Sequence, residues 1–152
     1  MRFKTRTTLL PVPELTRLAQ FVARFFQFED LAEVIVNAGD VRDSDGEPSF
    51  GGLAMETKLS GSWIVYVTLT DKTVYPRTQR LNHLTPEVVF ETWREEFVCV
   101  LAHELRHIDQ FAVRAFNQDQ ELESEVDAEN AAVAVLEAFR VEFDIDTLAR
   151  VA

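Results

Sequence analysis

The sequence predicts an α+β fold, and three observations carry that reading. One amphipathic segment opens the chain, short β-branched runs fill its middle, and two long helical periodicities close it. A length of 152 residues fits one domain spanning 1–152. Apolar residues at 47% and charged residues at 27% match folded globular chains, and twelve Phe supply core volume.

In order, Pro13 to Phe28 places Leu15, Leu18, Ala19, Val22, Phe25 and Phe26 at helical spacing, with Pro13 in the first turn. Glu33 to Ala38 is β-branched and stops at Gly39, as a strand does. Asp40 to Gly52 contains DSDGEP and a Gly pair, which marks a surface loop. Leu53–Leu59 and Trp63–Leu69 read as strands joined by Ser60-Gly61-Ser62, a loop that suits a bulged hairpin in a short mixed or antiparallel sheet. Trp63, Val65 and Val67 then share one face, with Ile64 and Tyr66 on the other. Thr70 to Leu84 is a polar connection with room for one short strand. Thr85-Pro86-Glu87 combines a hydroxyl cap, an N1 proline and a first-turn acid, and predicts a helix running from Val88 to about Ala115. A second helix is expected from near Asp119 to about Arg140.

Charge narrows the partners. With 26 acidic against 15 basic side chains, net −11 and a pI near 4.7, the surface repels phosphate backbones and anionic lipid. Nucleic acid and membrane are therefore excluded as default partners, whereas a basic peptide, a basic protein or a metal ion suits the charge. No apolar run approaches the ~18 residues of a spanning helix. Thr7 to Pro11 offers no apolar core for a signal peptide. Cys99 has no cysteine to pair with, which favours a reducing, cytoplasmic setting. Composition leaves the oligomeric state open.

The chemistry concentrates in His103-Glu104-Leu105-Arg106-His107, an H-E-x-x-H inside the long helix. Residues four apart lie one turn above each other, so both imidazoles can take adjacent corners of a zinc tetrahedron. Glu104, rotated about 100° from His103, flanks the ion and is placed to take a proton from water there. Phe97, Leu101, Leu105, Ile108 and Ala112 form an apolar stripe, and Val89, Trp93, Val100 and Phe111 border the histidines. Both rings are thus expected to face inward.

A third ligand must come from elsewhere, and the second helix offers Glu121, Glu123, Glu125, Asp127 and Glu129. Leu122, Val126 and Val133 mark one apolar side of that helix. Glu123, Asp127, Asn130, Ala131, Ala134 and Ala138 form an adjoining stripe small enough for close helix approach, and Glu125 falls on the opposite, solvent side. This phase favours Glu123 as ligand, with Glu125 as the main alternative. Asp127, one turn on, is placed to accept a ring N–H from a ligand histidine.

HELRH, 15 residues, then ELESEVD with its E-x-x-x-D resembles the gluzincin class of zinc metallopeptidases. In length and element order the chain looks like the small members, the minigluzincins and SprT-like proteases. The resemblance implies a zincin-like α+β domain with a glutamate helix packed on the active-site helix. It also implies zinc on His103, His107 and Glu123, Glu104 as general base, and Asp127 as the supporting acid. The implied activity is hydrolysis of peptide bonds in a protein or peptide substrate lying along the sheet edge, antiparallel to Leu53–Leu59 or Trp63–Leu69. His83, Tyr75 and Tyr66 are candidates to stabilise the oxyanion, since each can donate a hydrogen bond. The alternative is a zinc-binding, non-proteolytic interaction or regulatory module on the same scaffold. Against it stand Glu104, which a structural site does not need, and a set of three protein ligands where structural sites use four.

Overall fold

A computed structural model describes residues 1–26, 32–57, 62–80 and 83–151, with the side chains of 32 and 144–151 left aside. The fold is mixed α and β. In chain order it contains β1 (Arg2–Thr5), α1 (Val12–Ala23), β2 (Ala32–Ala38), β3 (Gly51–Glu56), β4 (Trp63–Leu69), β5 (Arg77–Gln79) and β6 (Val88–Phe90). There follow α2 (Trp93–Val113), a 3-10 turn at Gln118–Gln120 and α3 (Glu121–Val151).

The main sheet has the order β1-β2-β4-β3. β1, β2 and β4 are parallel, with Val34 opposite Val65 and Val36 opposite Val67, and β3 runs antiparallel to β4 with Leu53 opposite Tyr66. The sheet is therefore mixed, and β3 is its edge beside the helices. Val65, Val67 and Leu69 are fully buried while Ile64 and Tyr66 are half-buried, the alternation a one-sided strand requires. α1 adds Leu15, Leu18, Ala19 and Val22 to the core, and α2 adds Phe97, Val98, Leu101, Leu105 and Ile108. Ala112, the last member of the expected α2 stripe, is exposed.

Several boundaries differ from the expectation. α1 ends at Ala23 through the capping N–H of Arg24, and residues 27 and 28 of the expected helix lie outside the described residues. β1 carries no local signal, because RFKT has too few apolar residues to announce a strand, and only pairing with β2 makes it one. Gly51 and Gly52 belong to β3 rather than to the preceding loop. Residues 58–61, which include Ser60 and Gly61 of the expected hairpin loop, lie outside the described residues.

The helix start at Thr85-Pro86-Glu87 is not used. Val88–Phe90 instead pairs with Arg77–Gln79 as a two-stranded ribbon, burying Val88 and Phe90. α2 begins at Trp93, where the Thr92 hydroxyl accepts from the Glu95 N–H. It ends at Val113, with Arg114 in the left-handed region at φ 51°. Asn117 and Gln120 then close a capping box that turns the chain into α3, which extends well past Arg140.

Where α2 meets the start of β3 lies a buried ion network. Glu96 of α2, with 0% exposure, accepts from Arg77 at 2.8 Å, from the Tyr75 hydroxyl at 2.6 Å and from the Phe50 N–H at 3.3 Å. Arg77 also donates to Asp43 at 2.9 Å. Burial pushes the Glu96 carboxyl up against the pull of these donors. Since Phe50 immediately precedes β3, the network fixes the edge strand to α2. Among the described residues no helix is long and apolar enough to cross a membrane.

Candidate metal centre

His103 and His107 stand one turn apart on α2, both 8% exposed, so the helix does present them to the interior. Their Nε2 atoms lie 3.1 Å apart. The third group against them is Glu125, whose carboxylate spans both rings, with Oε2 3.1 Å from His103 Nε2 and Oε1 3.0 Å from His107 Nε2. A tetrahedral ion with bonds of ~2.0–2.1 Å holds its donors ~3.3–3.4 Å apart, and each of the three separations, two of them to different oxygens of Glu125, is within a few tenths of an ångström of that. The donor atoms of these three residues form a group able to hold a metal ion.

Ring tautomers sharpen the case. His107 Nδ1 lies 2.9 Å from Gln110 Oε1. That amide's orientation is fixed, because its Nε2 donates to the Ser124 carbonyl at 2.9 Å and to Asp127 at 2.8 Å. His107 must therefore donate from Nδ1. His103 Nδ1 faces the Glu129 carboxylate at 3.3 Å and donates there in the same way. With both Nδ1 atoms carrying hydrogen, the neutral rings turn bare Nε2 lone pairs toward each other and toward Glu125. Three acceptors then converge with no donor among them, and either added protons or a cation must occupy the centre.

Charge follows the same logic. Burial disfavours the His103 imidazolium, but hydrogen bonds to Glu125 and Glu129 more than reverse this and lift it to about 10. His107 also rises, because its bonds to Glu125 and Gln110 outweigh burial. The two imidazoles hold Glu125 well below the usual carboxylate range. Glu104 is pushed up by burial, with both histidines pulling the other way. Without a metal the cluster is a proton store, and a cation binding there must displace protons.

Glu123 does not take part: it is exposed, and two positions from Glu125 means a rotation of about 200°. The face of α3 that meets α2 runs through Glu125, Ala128, Glu129, Ala132, Val135, Leu136 and Phe139, buried without a break from Ala128 onward. Leu122, on the expected apolar side, is instead 42% exposed, while Ala128, three residues from Glu125 on the expected solvent side, is fully buried. The physical reason lies farther along the helix. The Glu123 stripe continues only as Asn130, Ala131, Ala134 and Ala138 and has no large side chain to bury, whereas the Glu125 stripe ends in Val135, Leu136 and Phe139.

Asp127 touches neither ring. It accepts from Arg106 Nε at 2.8 Å and from Gln110, and reaches His107 only through that amide. The Arg106 guanidinium holds its carboxyl below the ordinary range. Glu129 occupies the place expected for Asp127. Gln110 and Glu129 are the supporting residues that reading the sequence missed. Both had a signal, since Gln110 lies three residues after His107 and Glu129 lies four after Glu125.

The oxyanion candidates are not brought to the cluster. Tyr75 is committed to Glu96, and burial beside that carboxylate raises its phenol far above the ordinary value. Tyr66 stays in β4, and His83 is exposed in the turn before β6. None of the three lines the cavities around the imidazoles.

Two cavities meet at the cluster. A cleft of about 440 Å³ runs between β3 and α3, lined by Leu53, Ala54, Phe111, Glu121 and Ser124 with the two histidines. On the other side of His103 and Glu104 a pocket of about 170 Å³ is walled by Phe50, Phe90, Cys99 and Val100. No protein-family model, no curated protein and no solved structure matches this chain.

Proposed function

We propose that the chain is a zinc-dependent metallopeptidase of gluzincin type, with His103, His107 and Glu125 as ligands and Glu104 as general base. One observation carries the reading: three acceptor groups converge on one point, a buried carboxylate stands beside them, and all line a cleft along an edge strand. Two imidazoles and one carboxylate suit zinc, whereas calcium and magnesium take oxygen ligands. Bound zinc supplies Lewis acidity, polarising a carbonyl and lowering the pKa of water toward ~7. Glu104 takes the proton of the attacking water and returns it to the leaving amine.

β3, the edge strand of the sheet among the described residues, is the element along which an extended protein or peptide substrate would lie. A peptide antiparallel to β3 passes Leu53 and Ala54 first and the Phe50 pocket second. The residue after the cleaved bond therefore enters the apolar pocket. An acidic chain with Glu121 in the cleft favours a basic residue on the preceding side.

The test pairs metal analysis with Glu104→Gln. Purified chain is expected to hold about one zinc, and Glu104→Gln to keep it while losing at least ~10²-fold in hydrolysis of a disordered, Lys-rich reporter peptide. Equal behaviour of both proteins on every peptide refutes the hydrolase and leaves a non-proteolytic zinc-binding module.

A further inference from the structure

Glu104 lies against β3 at a point where that strand has no side chain. A Cβ on Gly52 would sit 2.6 Å from Glu104 Cγ, 2.7 Å from Oε1 and 2.9 Å from Cδ, closer than packed atoms approach. The backbone at Gly52 is not left-handed; among the described glycines only Gly46 is, at φ 81°. An alanine could adopt the Gly52 backbone, so what the position requires is room. Two residues along, the Ala54 N–H donates to the Glu104 carboxylate.

Neither backbone at this contact can retreat cheaply, so the Glu104 side chain is what must move. Glu104 sits between the fully buried Leu101 and Leu105 on a helix packed into the core. The strand is tied by its ladder to β4, with Gly52 opposite Val67, and by the bond from Phe50 to Glu96. Gly52 also lines both cavities that meet at the cluster, together with His103 and Glu104.

We propose that Gly52 is a positioning residue: its missing side chain lets the Glu104 stem pass beneath β3 and holds the carboxylate beside the imidazoles, so any larger residue there turns the base out while leaving the ligands in place. The proposal rests on the hydrolytic reading for its consequence, but the contact itself can be tested without activity.

The experiment is a double-mutant cycle in stability on the metal-free chain, using Gly52→Ala, Glu104→Ala and both together. Gly52→Ala alone is expected to lower Tm by roughly 3–8 °C. In the Glu104→Ala background the same change should cost less than about 1 °C, because the three nearest crowded atoms are gone. Equal losses in both backgrounds overturn the proposal. Zinc titration and steady-state hydrolysis of the Lys-rich reporter supply the second arm. Gly52→Ala should bind zinc within about 3-fold of wild type, and its kcat should fall at least ~10²-fold with KM within about 3-fold. Zinc binding lost in parallel, or a loss confined to KM, overturns it. If wild type cleaves nothing, the hydrolytic reading falls, while the cycle still decides whether Gly52 seats Glu104. Should Gly52→Ala fail to fold, recovery of folding on adding Glu104→Ala supports the contact, and failure of the pair as well overturns it.

Discussion

Replacing Glu125 by Ala tests the cluster most directly, because Glu125 supplies the only negative charge in the triangle and reaches both rings, at 3.1 and 3.0 Å. Loss of a partner behind a metal ligand costs 10–100-fold in affinity, and loss of the ligand itself must exceed that. We expect zinc binding to weaken by at least ~10³-fold, or about 4 kcal/mol at 1.4 kcal/mol per decade. Glu123→Ala removes an equal charge from the exposed side of α3, where salt screens it, and should change affinity less than about 2-fold. Competition against a chromophoric chelator at pH 7.5 measures both, with circular dichroism to show that the variants are folded. Glu125→Gln keeps the shape and should follow Glu125→Ala. If Glu123→Ala weakens zinc as much as Glu125→Ala, or if Glu125→Ala still binds like wild type, the assigned face of α3 is wrong.

Three further outcomes follow from named contacts. Gln110→Leu removes the acceptor at 2.9 Å from His107 Nδ1 and should weaken zinc by ~10–100-fold in the same titration, with the fold unchanged; unchanged affinity refutes its role. The pH dependence of the metal-free chain has two signs. His103, raised to about 10, contributes stability that is complete below its unfolded value of 6.5 and lost as pH climbs toward 10. Glu125, held low, contributes fully above its unfolded value of 4.5 and loses that contribution as pH falls. Because zinc displaces these protons, the Tm gain on adding zinc should grow from pH 5.5 to pH 8; a gain independent of pH counts against ligation by these imidazoles. Finally, Glu96→Ala leaves Arg77 buried without its closest carboxylate and should cost about 3–5 kcal/mol in urea unfolding. A cost under about 1 kcal/mol would mean the network does not tie β3 to α2.

The parts legible in the sequence were those set by local periodicity. Leu15, Leu18 and Val22 announced α1, Val65 and Val67 fixed the face of β4, and the four-residue step from His103 to His107 fixed two imidazoles on one side of a helix. Where two local signals competed, the sequence could mislead. Thr85-Pro86-Glu87 carries a sound helix start, yet Val88 and Phe90 gain more by pairing with β5 and burying their side chains. Thr92, an equally good cap seven residues on, starts the helix instead. The carboxylate was harder, since five acids crowd nine positions at every second residue, each rotated about 200° from the one before, so they are spread around the helix.

By itself the sequence determined the α+β class, the strands β2 and β4 and the paired histidines, because propensity and spacing act within a few residues of chain. The tertiary structure alone decided that β3 lies at the edge against α2, and that Glu125 rather than Glu123 closes on the rings. It also made Glu129 and Gln110, instead of Asp127, the groups holding those rings. These choices depend on how far α3 is rotated about its axis, and that rotation is set by burying Val135, Leu136 and Phe139, ten or more residues from the carboxylate they aim.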